Sequence, residues 1–307
     1  LALLAGVSLM GCIGPGMLTD GSSVSSGSHS RGVLRHPSAL PFRGLGYDMP
    51  PTWRARQRNF GTDELVRLLE RVALRVRREK PGGVLGVADL SPLGGGQTPQ
   101  HHSHHSGRDV DLIPYATDLK GKPLPPVAMV HFDGDGMSVP PTASAPSSTP
   151  TSKTAPKTNE PVAEKMKSES SPASAPAGPP LHPRRFDVAR NWALIKALVT
   201  DPEIPVQWIF IGRKLNKLLI RYARRKREPP TLIIRALRVM RQPGDASPHT
   251  DHFHVRIFCA PSDRGLGCDD RGPSRWFKKT IKYRDAPPHP QPLGDLAAWP
   301  SGLSYPL

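Results

Sequence analysis

Apolar residues at Leu65, Leu68, Leu69, Val72 and Val76 repeat at the spacing of one helical face. Thr62 and Asp63 stand where a helix needs a cap, and Pro81-Gly82-Gly83 stops it. After this helix the pattern shortens. "GVLGVADLS", "RDVDLIPYA" and "PVAMVHF" are brief, apolar or β-branched, and predict strands. A second helix is predicted with Phe186, Ala189, Trp192, Ile195, Leu198 and Val199 on one face, then a strand at "PVQWIFIG". "RKLNKLLIRYARRKRE" predicts a strongly basic helix, and "TLIIRALRVMRQ" fits a helix or a strand. In "DHFHVRIFC" alternation puts His252, His254, Arg256 and Phe258 on one side and Phe253, Val255 and Ile257 on the other. There is no internal repeat.

Composition divides this pattern into segments. The chain has 307 residues, 37% of them hydrophobic, with 37 prolines, so the folded part is shorter than the whole. Residues 138–183 are rich in Pro, Ala, Ser, Thr and Lys with almost no large apolar side chains. Such a stretch cannot bury enough surface to offset its chain entropy and is expected to be a disordered insertion. Residues 13–45 are Gly/Ser-rich and read as a flexible tether, and residues 286–307 as a Pro-rich tail. The expected domain is therefore 46–285, interrupted by the insertion.

Charge and the N-terminal residues bear on compartment and partner. Lys plus Arg number 42 against 26 Asp plus Glu, a formal net charge of +16, which calls for an acidic partner. Residues 1–12, "LALLAGVSLMGC", form an apolar run too short for a membrane-spanning helix and read as a signal-peptide core. The "LMGC" ending resembles a bacterial lipoprotein signal, with Cys12 as the lipidated residue and a possible membrane anchor. An export signal, and the lack of a basic motif interleaved with aromatics, argue against nucleic acid. In an exported chain Cys259 and Cys268 are expected to close a disulfide loop.

The candidate chemistry lies in two histidine-rich stretches. "HHSHHSGRDVDLI" holds four histidines and two aspartates in thirteen residues, and "HTDHFHV" holds three more histidines. His104 and Asp111 are seven apart, with Gly107 between them to turn the chain, and Asp109 is the competing carboxylate on the same strand face. An H-x-H on a strand puts both imidazoles on one face. Two imidazoles and one carboxylate make a three-ligand zinc set with an open fourth position, the pattern of catalytic zinc.

Together these blocks resemble the penicillin-insensitive murein endopeptidase family of LAS-type zinc metallopeptidases. "RNFGTDELV", "SHHSGRDVDL" and "HTDHFHVRIFCAPSD…GC" match its successive blocks, from about Arg58 to Cys268. The resemblance implies an α+β fold whose small central antiparallel sheet carries the zinc site between flanking helices. It implies His104, Asp111 and His254 as zinc ligands, His252 and His249 as catalytic residues, and His101 as a further active-site histidine. His102 and His105 are expected to be bystanders. Asp133 and Asp135 offer an acidic group for a second metal position, without the matching downstream histidine. The implied activity is hydrolysis of D-amino-acid amide crosslinks in peptidoglycan by metal-activated water, in the periplasm or cell envelope, with Cys12 as the candidate outer-membrane lipid anchor. The alternative is a noncatalytic, basic envelope-binding protein whose metal site is degenerate or structural.

Overall fold

The computed structural model describes residues 21–99, 101–139, 182–244 and 246–270. Residues 1–12 with Cys12, nearly all of the expected insertion and the C-terminal tail lie outside the described residues.

A seven-stranded sheet organises the described residues. Its order is Met240–Arg241, Val206–Phe210, Phe253–Ile257, Asp109–Ile113, Leu85–Val87, Tyr47–Asp48 and Arg43–Gly44. The expected α+β class is correct. The sheet, however, is mixed rather than antiparallel throughout. Tyr47–Asp48 pairs parallel with Leu85–Val87, and Val206–Phe210 pairs parallel with Met240–Arg241. Each parallel pair is joined through helices, as parallel strands require. Asp63–Glu79 makes the first crossover, and Arg213–Arg225 with Pro230–Val239 makes the second. The stretch that fitted either helix or strand is both, with Pro230–Val239 helical and Met240–Arg241 a strand.

Helix Asp63–Glu79 starts where Thr62 accepts a hydrogen bond from Leu65 N, and it buries Leu65, Leu68, Leu69, Val72 and Val76. Helix Val188–Val199, capped by Asp187, is buried nearly all round rather than on one face. The reason is packing, since helices Asp63–Glu79, Arg213–Arg225 and Pro230–Val239 all contact it. Val110, Leu112, Phe253, Val255 and Ile257 belong to the same core, so the two central strands turn one face to it. The other face carries Asp109, Asp111, His254 and Arg256.

Two expectations fail. "PVAMVHF" is not a strand, and only Phe132 forms a bridge, to Ser138. Leu85–Val87 and Asp109–Ile113 already have partners on both sides, which leaves this segment outside the sheet, with Phe132 still packed into the core. Nor are residues 21–45 a tether. Val24–Ser28 and Arg31–Arg35 form an antiparallel hairpin. Ser25 of the hairpin and Ser23 just before it are buried: Ser23 N donates to Asp63 Oδ2 (3.0 Å), Ser25 N to Asp263 Oδ2 (2.8 Å), and Arg108 Nε to Ser25 Oγ (3.1 Å). A Gly/Ser-rich composition here serves close packing against buried charges. Cys259 and Cys268 form the expected disulfide, and the loop it closes meets the hairpin through Gly27 N to Gly267 O (2.9 Å).

Candidate metal centre

Register sets the centre of the site. On the adjacent antiparallel strands His254 stands opposite Asp111 and Arg256 opposite Asp109. His104 comes from the loop before strand Asp109–Ile113. It holds a left-handed backbone (φ 69°), unusual for a residue with a side chain, and Gly107 at φ 76° completes the turn. His101 lies earlier in that loop, and His249 and His252 precede the facing strand.

Four imidazoles surround the Asp111 carboxylate, each anchored at its far nitrogen. His104 Nδ1–H donates to the Leu90 carbonyl (2.8 Å) and leaves Nε2 3.4 Å from Asp111 Oδ1. His254 Nε2–H donates to Asp109 Oδ1 (2.7 Å), with Nδ1 3.1 Å from Asp111 Oδ1. His252 Nδ1–H donates to Asp251 Oδ1 (2.8 Å), with Nε2 3.7 Å from Asp111 Oδ1. His101 Nε2–H donates to Asp89 Oδ2 (2.9 Å), with Nδ1 3.7 Å from Asp111 Oδ2. Such anchoring fixes the tautomer and orientation of an imidazole and raises its basicity as a ligand.

The donor set fits a zinc ion. As the neutral imidazoles that a metal requires, and with their far nitrogens donating, His104 and His254 would turn lone pairs toward a carboxylate oxygen. Without metal, burial lowers His254, but its hydrogen bonds to Asp109 and Asp111 outweigh that and raise it. His104 Nε2 and Asp111 Oδ1 are both buried without a hydrogen-bond partner. Acceptors facing acceptors repel, and a cation between them removes the repulsion. Ligands in a tetrahedron with bonds of about 2.0–2.1 Å lie about 3.3 Å apart, close to the 3.1 and 3.4 Å found. Among the described residues, His101, His104 and Asp111 are the set whose ligand atoms all lie within 4.8 Å of one another. His254 Nδ1 lies nearer the Asp111 carboxylate than His101 Nδ1 does, 3.1 against 3.7 Å.

The site is electrostatically coupled. Burial alone would raise the Asp111 carboxyl, but His104 and then His252 hold it well below the usual range. Asp109 behaves likewise, with Arg256, then His254, overcoming burial. Burial would lower His252, but Asp111 and then Asp251 raise it to about 8. Burial, reinforced by His252 and His254, lowers His249 to about 4.

The remaining sequence candidates fall as follows. Asp109 receives His254 Nε2 and Arg256 Nε (2.6 Å), the contacts of a supporting carboxylate. His249 lies tilted beside His252 (ring centres 5.0 Å apart), and its Nδ1 is buried without a partner. His102 is exposed, whereas His105 is buried. Both line an open groove of about 820 Å³ with His101, Arg31 and Thr98. Asp133 Oδ1 accepts from Asp135 N and Met137 N (2.9 Å each), so it shapes its own turn.

Sequence reasoning missed the anchors. Asp89 is buried and binds Arg56 Nη1 (2.7 Å) as well as His101. Asp251 holds His252, and the D-H-F-H order could have signalled a carboxylate next to the pair. His29, on the hairpin turn, lies close enough to Arg256 and Asp109 to interact with them electrostatically. It carried no signal, because only the folded hairpin brings it there.

Comparison with known proteins bears on this arrangement. The family model described as penicillin-insensitive murein endopeptidase matches residues 25–124, which include His101, His104, Asp109 and Asp111. The family this chain matches is that of the penicillin-insensitive murein endopeptidases. Proteins named penicillin-insensitive murein endopeptidase from Klebsiella pneumoniae (strain 342) and Escherichia coli (strain SE11) are each 32% identical over 130 residues, 41% of this chain and 46% of theirs. One of the same name from Pectobacterium atrosepticum is 33% identical over 131 residues, 41% of this chain and 45% of its own length. The chain thus spans just under half the length of these relatives. The family match begins inside the N-terminal hairpin, in agreement with its folding as part of the domain.

Proposed function

We propose that the chain is a zinc-dependent murein endopeptidase that hydrolyses D-amino-acid amide crosslinks in peptidoglycan. One observation carries the reading: four anchored imidazoles converge on one buried carboxylate, two of them with a ring nitrogen within 3.4 Å of a single oxygen. His104, Asp111 and His254 would hold the metal. When bound, zinc supplies Lewis acidity that activates water at neutral pH and stabilises charge developing on the scissile carbonyl.

The chain's own residues divide the proton work. His252, held at Nδ1 by Asp251 and raised to about 8 without metal by Asp111 and then Asp251 against burial, can pass a proton to the leaving amine. His249, lowered to about 4, stays neutral and can accept one. Environments that push two neighbouring groups apart in pKa are how a site obtains an acid and a base from one residue type. Asp251 and Asp109 orient His252 and His254. No serine or cysteine nucleophile is needed. The substrate places the chain in the cell envelope. No helix among the described residues is long and apolar enough to cross a membrane, and lipidation of Cys12 would supply attachment.

The test is mass spectrometry of purified crosslinked muropeptide dimers after incubation with the full chain, with and without a chelator. Conversion to monomers that stops with chelator and returns with zinc is expected. Intact dimers in every arm, from folded zinc-loaded protein, would leave the noncatalytic envelope-binding reading in its place.

A further inference from the structure

The basic helix Arg213–Arg225 is used by neither the core nor the proposed chemistry. It buries Leu215, Leu219, Ile220 and Ala223. At 3.6 residues per turn, Arg213, Lys214, Lys217, Arg221, Arg224 and Arg225 fall on the opposite side, within an arc of roughly 120° and a length of about 18 Å. All six are exposed, and none makes an ion pair with a described residue. No acidic residue occurs between Arg213 and Arg227.

This arrangement acts against the helix. Like charges three or four residues apart repel, and Arg213/Lys217, Lys214/Lys217, Lys217/Arg221, Arg221/Arg224 and Arg221/Arg225 are all such neighbours. Arg213 and Lys214 also lie in the first turn, where the helix dipole disfavours cations and no acidic residue offsets them. A merely solvated face would intersperse both signs. The stripe also begins at the site: Gly212, which caps this helix, donates its N–H to the His249 carbonyl (2.6 Å).

We propose that this stripe docks the polyanionic peptidoglycan network and feeds its strands toward the His104–Asp111–His254 cluster, an inference that rests on the function proposed above. Peptide stems carry free carboxylates, so the intact network presents many anionic groups to the stripe at once, whereas a single excised dimer carries only a few and gains little from it. Insertion into a lipid surface lacks the means, because the helix's apolar side is already buried. Base stacking has little to use either, because Tyr222, the aromatic residue of this helix, is half-buried and packs against the core.

The experiment is co-sedimentation of the full chain with purified insoluble sacculi across a salt series, beside hydrolysis of a soluble crosslinked dimer. The variant is Lys217→Gln, Arg221→Gln, Arg224→Gln and Arg225→Gln together, since glutamine is a good helix former. A control removes four exposed cations elsewhere: Arg35→Gln, Arg77→Gln, Arg78→Gln and Lys120→Gln. The unaltered chain should release sacculi steeply as salt rises. The stripe variant should bind at least tenfold more weakly at low salt, with a flatter salt dependence, and lose far more activity on sacculi than on the dimer. The control should bind nearly as well as the parent. Salt-insensitive binding by the parent, unchanged binding by the stripe variant, or equal loss in the control overturns the proposal. So does tighter binding of phosphatidylglycerol vesicles or duplex DNA than of sacculi through the same four residues. If the parent binds sacculi through the stripe but leaves the soluble dimer uncut, the docking surface stands and the assigned chemistry fails.

Discussion

Asp109 and Asp111 share a strand face and differ by one repeat, yet their contacts are unlike. Asp111 is ringed by near nitrogens, while Asp109 receives the far nitrogen of His254 and the guanidinium of Arg256. Asp109→Asn should therefore keep the metal site but weaken it by about 10–100-fold, the usual effect of losing a ligand's supporting partner. Chelator competition measures this, and affinity equal to the parent's would contradict it. His252→Ala should retain metal and lose about 10²–10⁴ of turnover, the range for a positioned acid or base. Turnover close to the parent's would remove His252 from the proton transfer. The sequence alone made the H-x-H pair and the His104/Asp111 spacing visible, because strand alternation and a glycine turn are local rules. It left the Asp109/Asp111 choice to the family resemblance. The anchors Asp89 and Asp251 depend on which loops meet across the sheet, which local pattern does not contain.

At the scale of elements, helices were the easiest to read. Asp63–Glu79 has its cap, its apolar face and its stop in consecutive residues. Two-residue strands such as Arg43–Gly44 and Tyr47–Asp48 have no pattern of their own and exist only as partners in the sheet. The serine-rich hairpin was misread because buried hydroxyls look like linker composition until their charged partners are known. The flanks of the expected insertion allow a prediction. Ser138 N donates to the Arg184 carbonyl (2.9 Å), and Arg184 N donates to Ser138 Oγ (2.8 Å), so the two ends are held side by side. Replacing residues 140–181 with a short Gly/Ser bridge should leave metal content unchanged and Tm within a few degrees. Loss of metal from a soluble deletion variant would show that the segment is structural. The disulfide supports a second prediction at this scale. Cys259→Ser with Cys268→Ser should lower stability by about 2–3 kcal/mol, the chain-entropy value for so short a loop. Denaturant unfolding of the two forms measures it, and equal midpoints would mean that hairpin contacts alone hold the loop.

The whole molecule joins a charged site to a strongly basic chain, and its stability should depend on pH when metal is absent. His29 is lowered to about 4 by burial and then Arg256, and His249 to about 4 by burial and its histidine neighbours, against 6.5 when unfolded. Between these values the unfolded chain binds more protons, so their contribution is present above about pH 6.5 and is lost as pH falls toward 4. His252 acts in the opposite direction. Raised to about 8, it contributes below 6.5 and loses that contribution as pH rises through 8. Thermal unfolding of the metal-free chain should fall in Tm from pH 6.5 to 4.5, and His29→Gln should lessen that fall. An unchanged slope in His29→Gln would mean that His29 is already free to protonate in the folded chain.

Zinc content per chain tests the central claim most directly. It would be measured on the full chain and on His104→Ala, Asp111→Ala, His254→Ala and His101→Ala, prepared alike and each shown to be folded. The expected result is about one zinc in the parent and in His101→Ala, and almost none in the other three, because a three-ligand site has no spare ligand. Full zinc in His254→Ala together with its loss in His101→Ala would contradict the assignment and make His101, His104 and Asp111 the ligand set.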